Sequence, residues 1–396
     1  MAHTGFAAWL PVFGLAIAGF IFNTSEFIPV GLLTDIGQSF NMKPAEVGIM
    51  MTIYAWCVAL LSVPCLLMTG AMERRKLLMG LITLFIVSHG LSAVAWSFNV
   101  LLISRLGVAI AHSVFWAIIP SLAIRIAPPG GGTRAMSVIV LGTSIATIVG
   151  LPLGRVIDSY FGWRISFAAI GLVALVVAVI LFFTLPTVES KNSGSLSSIP
   201  KLFHRPALVS VYLLGLMVIV AHFSAYSYIE PFIEEVAHYS RQFATSILFV
   251  FGIAGIIASI IFAPINARYP SLILSGIILV LMVVMALLIP ISSSKWLLIP
   301  AVALWGIAMT MFFLTMQLRV LALASDATDL AMAFFSGIVN IGIGAGALLG
   351  SLVSIHLGMS HIGETGAIVA LVSLILCVFC SWRFPFSQSR GAVDLS

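Results

Sequence analysis

Long apolar stretches broken by short polar ones recur twelve times along this chain, at about 9–33, 45–69, 77–96, 100–124, 135–157, 165–186, 207–229, 244–264, 271–290, 296–321, 330–355 and 364–382. A helix needs roughly 20 apolar residues to cross the hydrocarbon layer, and each stretch meets or approaches that length. Backbone polar groups in lipid must pair within their own segment, so the stretches are expected to be helices. The first apolar run lacks a basic leader and a small-residue cleavage site, so it reads as the first span and not as a secretory signal.

Composition agrees with this pattern. Of the 396 residues 61% are hydrophobic and only 8% charged, which excludes an ordinary soluble domain. Twelve spans put both termini on one side. The loops and tails of that side hold twelve basic residues: Arg74, Arg75, Lys76, Arg125, Arg134, Lys191, Lys201, Arg205, Arg268, Arg319, Arg383 and Arg390. The other side holds five: Lys43, Arg155, Arg164, Arg241 and Lys295. The richer side, with both termini, is expected to be cytoplasmic. The net charge of +5 then follows from topology, and no nucleic-acid partner is expected.

The longest polar stretch lies between the sixth and seventh spans and divides the chain into residues 1–186, a cytoplasmic linker 187–206, and 207–396 with a short cytoplasmic tail. A shift of 196 residues lays Gly150 on Gly346, Leu153 on Leu349, Gly154 on Gly350 and Gly162 on Gly358. The fifth span therefore has an echo in the eleventh. Both carry small residues at every fourth position, Gly142, Ala146, Gly150 and Gly154 in one and Gly342, Gly346 and Gly350 in the other, a pattern that lets helices approach closely. Two parallel six-helix repeats suggest a transporter with its substrate site near the midplane between them.

Candidate chemistry is sparse. Glu26 lies in the first span, about five residues past its middle, and an ionisable group at that depth suggests a functional site. Phe22 and Asn23 share its helical stripe, so an aromatic face, an amide and an acid are presented together; an interhelical Asn-Glu contact is the other reading. Arg105, His112 and Trp116 fall on one face of the fourth span, with Arg105 a candidate partner for Glu26 or, alternatively, an arginine reaching the headgroups. In the seventh span His222, Tyr226 and Glu230 repeat at four-residue spacing, and Glu230 precedes Pro231, which could end the helix there. Trp305 and Met309 in the tenth span and Asn340 in the eleventh complete a set with rings and amides suited to a sugar, whose buried hydroxyls need partners. The four cysteines sit in apolar helix and read as free thiols. Gly130 to Gly132 lack the Lys-Ser or Lys-Thr of a phosphate loop, and no metal ligand spacing or cofactor motif is visible. Energy is then expected from an ion gradient; one proton crossing 100 mV releases about 2.3 kcal/mol.

Several segments resemble the major facilitator superfamily: Leu102-Ile-Ser-Arg105-Leu-Gly in the fourth span, with Ala109 at a usual glycine; Gly150-Leu-Pro152-Leu-Gly154, similar to the antiporter motif; and Glu73-Arg74-Arg75-Lys76 without the usual upstream acid. The segments from Phe22 to Leu33, Ala111 to Trp116, Ala221 to Pro231 and Phe335 to Gly344 resemble, more narrowly, bacterial sugar efflux transporters of the twelve-span drug:proton antiporter group. The resemblance implies an all-α major facilitator fold of two pseudo-symmetric halves in the bacterial inner membrane. It also implies a monomer that exports sugars such as arabinose or thiogalactosides in exchange for protons. A lipophilic-cation exporter using Glu26 and Glu230 as counter-charges, a sugar importer and a non-transporting sensor remain as alternatives.

Overall fold

The computed structural model describes residues 6–69, 71–129, 131–189, 199–269, 272–324 and 328–383. Most of the polar linker (190–198) and the tail (384–396) lie outside the described residues, with Gly130, Lys191 and Arg390. Among the described residues there is no strand, and twelve helices are long and apolar enough to span a membrane. They are α1 Leu10–Gly31, α2 Pro44–Ser62, α3 Arg74–Ala93, α4 Phe98–Trp116, α5 Leu141–Phe161, α6 Trp163–Thr184, α7 Pro206–Val236, α8 Arg241–Phe262, α9 Ile273–Ile291, α10 Lys295–Leu323, α11 Leu330–His356 and α12 Met359–Arg383. Each matches one predicted span, most to within a few residues; the apolar windows of α2 and α4 stop short of the helices that carry them, α5 starts six residues later than predicted and α7 runs seven residues further. Leu172, Val176, Phe183, Ile260, Ile368 and Ile375 are exposed, giving the bundle the apolar girdle that lipid requires.

Helix ends follow local chemistry. Glu73 caps α3, accepting from the backbone N–H groups of Arg75 and Lys76 at 2.8 and 2.9 Å. It also accepts from Val188 N–H at 2.8 Å, tying the start of α3 to the chain leaving α6. Gly162 turns the corner from α5 to α6 at φ +85°, a conformation open to glycine and costly for other residues. In α5 the residues Ala146–Gly150 form a wide π-turn just before Pro152. Proline has no N–H and its ring crowds the carbonyl four residues back, here that of Ile148, so the helix opens locally.

The predicted small-residue stripes do bring helices together, and they do so twice. A side chain on Gly150 would run into Thr24, and one on Gly154 into Ile28, both on α1. Their counterparts Gly346 and Gly350 press on Val220 and Ser224 of α7, each displaced by the same 196 positions. The repeat also shows in contacts between its own copies: Phe27 stacks on Phe223 at 6.1 Å, and the Thr34 hydroxyl donates to Glu230 at 2.9 Å, residue pairs separated by 196. Such self-pairs lie where a two-fold axis passes.

Two seams join the first six spans to the last six. Along α2 and α11, Thr52 donates to the Gly344 carbonyl at 3.0 Å, the Trp56 indole to the Ile341 carbonyl at 3.2 Å, and Ser351 to the Ala45 carbonyl at 2.6 Å. Along α5 and α8, Ile148 lies against Gly252. The repeat relates these seams with the glycine exchanged: Gly344 faces Trp56 in one, and in the other their counterparts Ile148 and Gly252 meet. The hydrogen bonds of the first seam run to the end of the bundle opposite the termini, where Ser351 meets Ala45, so that end is shut.

One topological expectation is corrected. Arg155 was counted among the loop residues of the basic-poor side, but it lies within α5 with its side chain 0% exposed. Its charge is satisfied by protein, so it says nothing about orientation.

Candidate functional site

Proline at position 29 sets up the first cluster. The Ser25 carbonyl would ordinarily accept from the N–H four residues on, which Pro29 lacks. Arg105 of α4 takes its place, donating from Nη2 to the Ser25 carbonyl at 2.9 Å and from Nη1 to its hydroxyl at 3.2 Å. The same hydroxyl lies 2.8 Å from His89 Nε2 on α3. The guanidinium also stacks over the Tyr54 ring of α2 at 4.5 Å and faces Phe167 of α6 at 5.8 Å. A buried cation is thus held by α1, α2 and α6, with no ion pair among the described residues, and Glu26 is not within ion-pair distance of it.

Glu26 instead has His112 as its near partner, with Nε2 3.6 Å from Oε2, too long for a direct hydrogen bond. The Glu26 side chain remains 11% exposed, whereas His112 is nearly covered. His112 lies edge-on to Tyr54 at 5.8 Å and to the half-buried Trp116 at 6.1 Å. Glu26, His112 and Trp116 therefore meet, and Tyr54 lies between His112 and the Arg105 guanidinium.

Two neighbours of Glu26 turn away from any cargo. Phe22 is 0% exposed, stacked between Phe85 at 4.1 Å and Phe115 at 3.9 Å, so it is core and not an open aromatic wall. Asn23 donates to the Thr143 carbonyl of α5 at 3.1 Å, an interhelical contact.

The second cluster is built on α7, α8 and α10. The Trp305 indole donates to His222 Nδ1 at 3.0 Å, which leaves Nε2 as the protonated nitrogen of a neutral ring. His222 stacks on Tyr226 at 4.8 Å, and Tyr226 packs on Phe251 at 4.5 Å. Met309, four residues after Trp305 on α10, is also buried. By the 196-residue repeat His222 is the counterpart of Glu26, and the Phe27–Phe223 contact next to both sets the clusters opposite each other. Asn340 is buried on α11, its amide donating to the Ser336 carbonyl at 3.1 Å while Oδ1 has no partner.

Glu230 belongs to neither cluster. It accepts from Thr34 and lies 2.8 Å from Arg155, which also holds Asp35 at 2.6 Å, Asp158 at 3.0 Å and Glu234. Arg241 adds a second guanidinium, 2.6 Å from Asp35. The expectation that Glu230 lines the substrate site is corrected: it is part of an ion network that joins α5, α7, α8 and the turn after α1. Sequence spacing shows Arg155 and Asp158 one turn apart, but the other members come from three further segments and leave no local pattern. Tyr54, Ser25 and His89 were missed for the same reason.

A twelve-helix bundle with two polar clusters buried at membrane depth is the build of a membrane transporter. The chain belongs to the Major Facilitator Superfamily, whose family model matches residues 15–328. The fold is also that of two crystal structures of a bacterial homolog to the human lysosomal transporter Spinster. The inward-facing unoccupied form has a TM-score of 0.71 at 15% identity, covering 96% of each chain. The inward-facing occupied form has a TM-score of 0.74 at 14% identity, covering 94% of this chain and 96% of that one.

Proposed function

We propose that this transporter exports neutral sugars or sugar-like compounds from the cytoplasm in exchange for protons, with Glu26 as the proton carrier. The observation that carries the reading is Glu26 itself, a carboxylate at membrane depth with one edge exposed, no arginine ion pair and an imidazole 3.6 Å away. Such a group can gain and lose a proton without breaking a structural salt bridge. Arg105, held by the Ser25 carbonyl and hydroxyl, keeps a fixed positive charge in the same cluster.

Neutral cargo is supported by what surrounds the site. A cation exporter would draw on Glu230 as a second counter-charge, but that carboxylate is committed to Arg155. His222, Tyr226 and Trp305, together with the unpaired Asn340 Oδ1, offer rings and polar edges without net charge. In this reading the two repeats rock about the central clusters. With both termini in the cytoplasm of a bacterial inner membrane, the shut end faces outward. Protonation of Glu26 from outside releases sugar there, and deprotonation inside lets sugar bind again.

The test is pH-gradient-driven movement of a radiolabelled pentose or thiogalactoside in proteoliposomes, beside ethidium. Sugar movement that is lost in Glu26→Gln supports the reading. Ethidium movement without sugar movement replaces it with the multidrug alternative.

A further inference from the structure

The Arg155 network has a charge imbalance that its burial does not tolerate. It gathers four carboxylates, Asp35, Asp158, Glu230 and Glu234, around two guanidinium groups, Arg155 and Arg241. The Arg155, Asp158 and Glu230 side chains are at most 1% exposed. Asp35, Glu234 and Arg241 reach the surface at 13%, 14% and 39% exposure, but with every carboxylate ionised the cluster would carry two excess negative charges around a fully buried guanidinium, which is unfavourable.

The carboxylates are arranged in two pairs. Arg155 Nη1 contacts both Asp35 and Asp158, and Nη2 contacts both Glu230 and Glu234. Two carboxylates gathered on one nitrogen repel each other, and a proton held by one of them relieves that repulsion. One proton in each pair brings the pair to a single negative charge, and the two pairs then match the two guanidiniums.

The other charged groups at this end are engaged elsewhere. Arg164 of α6 donates to the Ala95 carbonyl and lies over Trp163. Lys295 of α10 sits over Tyr239 and Phe243. Glu46 before α2 accepts from the backbone of Lys43, and Glu364 of α12 pairs with His361. Glu235 follows Glu234 in α7, but its side chain is exposed to solvent. None of these supplies the missing positive charge.

The cluster also sits where conformation is decided. Asp35, Arg155 and Asp158 belong to the first six spans and the turn after α1, whereas Glu230, Glu234 and Arg241 belong to the last six. The seam on the other side, along α2 and α11, closes with neutral hydrogen bonds from Thr52, Trp56 and Ser351. The two seams are therefore chemically unlike, although the repeat makes them equivalent in position.

We propose that the α5–α8 seam is a proton-loaded latch, which shuts the outer end when each carboxylate pair takes up one proton and opens that end as the protons leave to the outside. Its protons come from and return to the same side, so they are not carried across. They set how strongly external acidity drives the return to the inward-open state, in addition to the proton on Glu26. The orientation rests on the transporter reading above; the latch itself depends on neither the cargo nor Glu26.

The experiment measures the outer-end distance with spin labels at Tyr160→Cys and Leu357→Cys in lipid nanodiscs, without cargo. The background has the four native cysteines replaced by alanine and carries Glu26→Gln. The closed state binds two more protons than the open one, so the shut-to-open ratio is expected to fall by up to about a hundredfold per unit rise in pH. Asp158→Asn with Glu234→Gln leaves one carboxylate per pair beside a neutral amide, matching the guanidiniums without protons, and its ratio is expected not to respond to pH. Asp158→Asn alone should respond by up to about tenfold per unit. A pH-insensitive ratio in the Glu26→Gln parent, or a double variant that tracks its parent, overturns the latch. Either result leaves cargo and proton coupling at Glu26 to be judged by transport.

Discussion

The seam glycines should control which end of the transporter is open. A methyl group on Gly252 would lie 2.8 Å from the Ile148 Cα and 3.0 Å from its carbonyl oxygen, both backbone atoms that cannot rotate aside. Ordinary carbon contacts are about 3.5–4.0 Å, so α5 and α8 must separate by roughly 0.7 Å or more at this point. Gly344 is crowded likewise by the Trp56 ring and by the Thr52 carbonyl at 3.1 Å. Overpacking of this kind costs about 1–3 kcal/mol, and the cost falls on the state in which the seam is closed. Gly252→Ala should therefore move the shut-to-open ratio of the outer end toward open by about 5- to 150-fold. Gly344→Ala should act in the same direction, less so because Trp56 can tilt. The assay is the distance distribution between labels at Tyr160 and Leu357, with Gly276→Ala as control, since nothing lies within 4 Å of a methyl group there. If Gly252→Ala gives the same distribution as Gly276→Ala, the seam is not the closing surface and the reasoning fails.

Arg155→Gln leaves four carboxylates facing Arg241 alone, and losing one partner of a buried charge network costs about 3–5 kcal/mol; the same label pair should read an outer end opened by more than a hundredfold, and an unchanged distribution would show that the network does not hold the seam. For Glu73, partial burial pushes the carboxyl up, but N–H donors from Val188, Arg75 and Lys76 and the Lys76 charge outweigh it and hold the group below its ordinary range. Its stabilising effect is then present above the ordinary carboxylate pKa and lost as pH falls through the lowered one. Glu73→Gln should accordingly melt earlier than the parent at neutral pH, by the equivalent of about 0.5–1 kcal/mol for a largely solvated cap, with the deficit shrinking as pH falls below the ordinary carboxylate range; a deficit that does not change with pH would exclude the charge as the cause.

Periodicity was enough to find what the membrane itself dictates. Twelve apolar stretches became twelve spans, and the glycines repeated at 196 positions did mark helix pairs packed at close range, Gly150 on Thr24 and Gly346 on Val220. Spacing along one helix also placed Arg105, His112 and Trp116 on a common face. Contacts between helices were not legible in this way. Phe22 looked open because its stripe carries Glu26, but Phe85 and Phe115 from two other helices enclose it. Arg155 looked like a loop charge because a cation in lipid-depth helix needs partners, and these come from the turn after α1 and from α7 and α8. Glu230 was placed with His222 by helical register, yet the chain breaks at Ser227 and Tyr228 and sends it into the seam. Ser25 gained its role from a missing donor at Pro29, a signal present in the sequence but meaningful only once Arg105 is seen to fill the gap.

The central claim is that Glu26 couples cargo to protons, and counterflow beside pH-driven exchange tests it most directly. In proteoliposomes a neutral labelled pentose or thiogalactoside should move with an imposed pH gradient through the parent protein. Through Glu26→Gln, fixed in the neutral form that releases sugar, counterflow should weaken and gradient-driven movement should be lost. Gradient-driven sugar movement that persists in Glu26→Gln would contradict the account and place the coupling proton on another group.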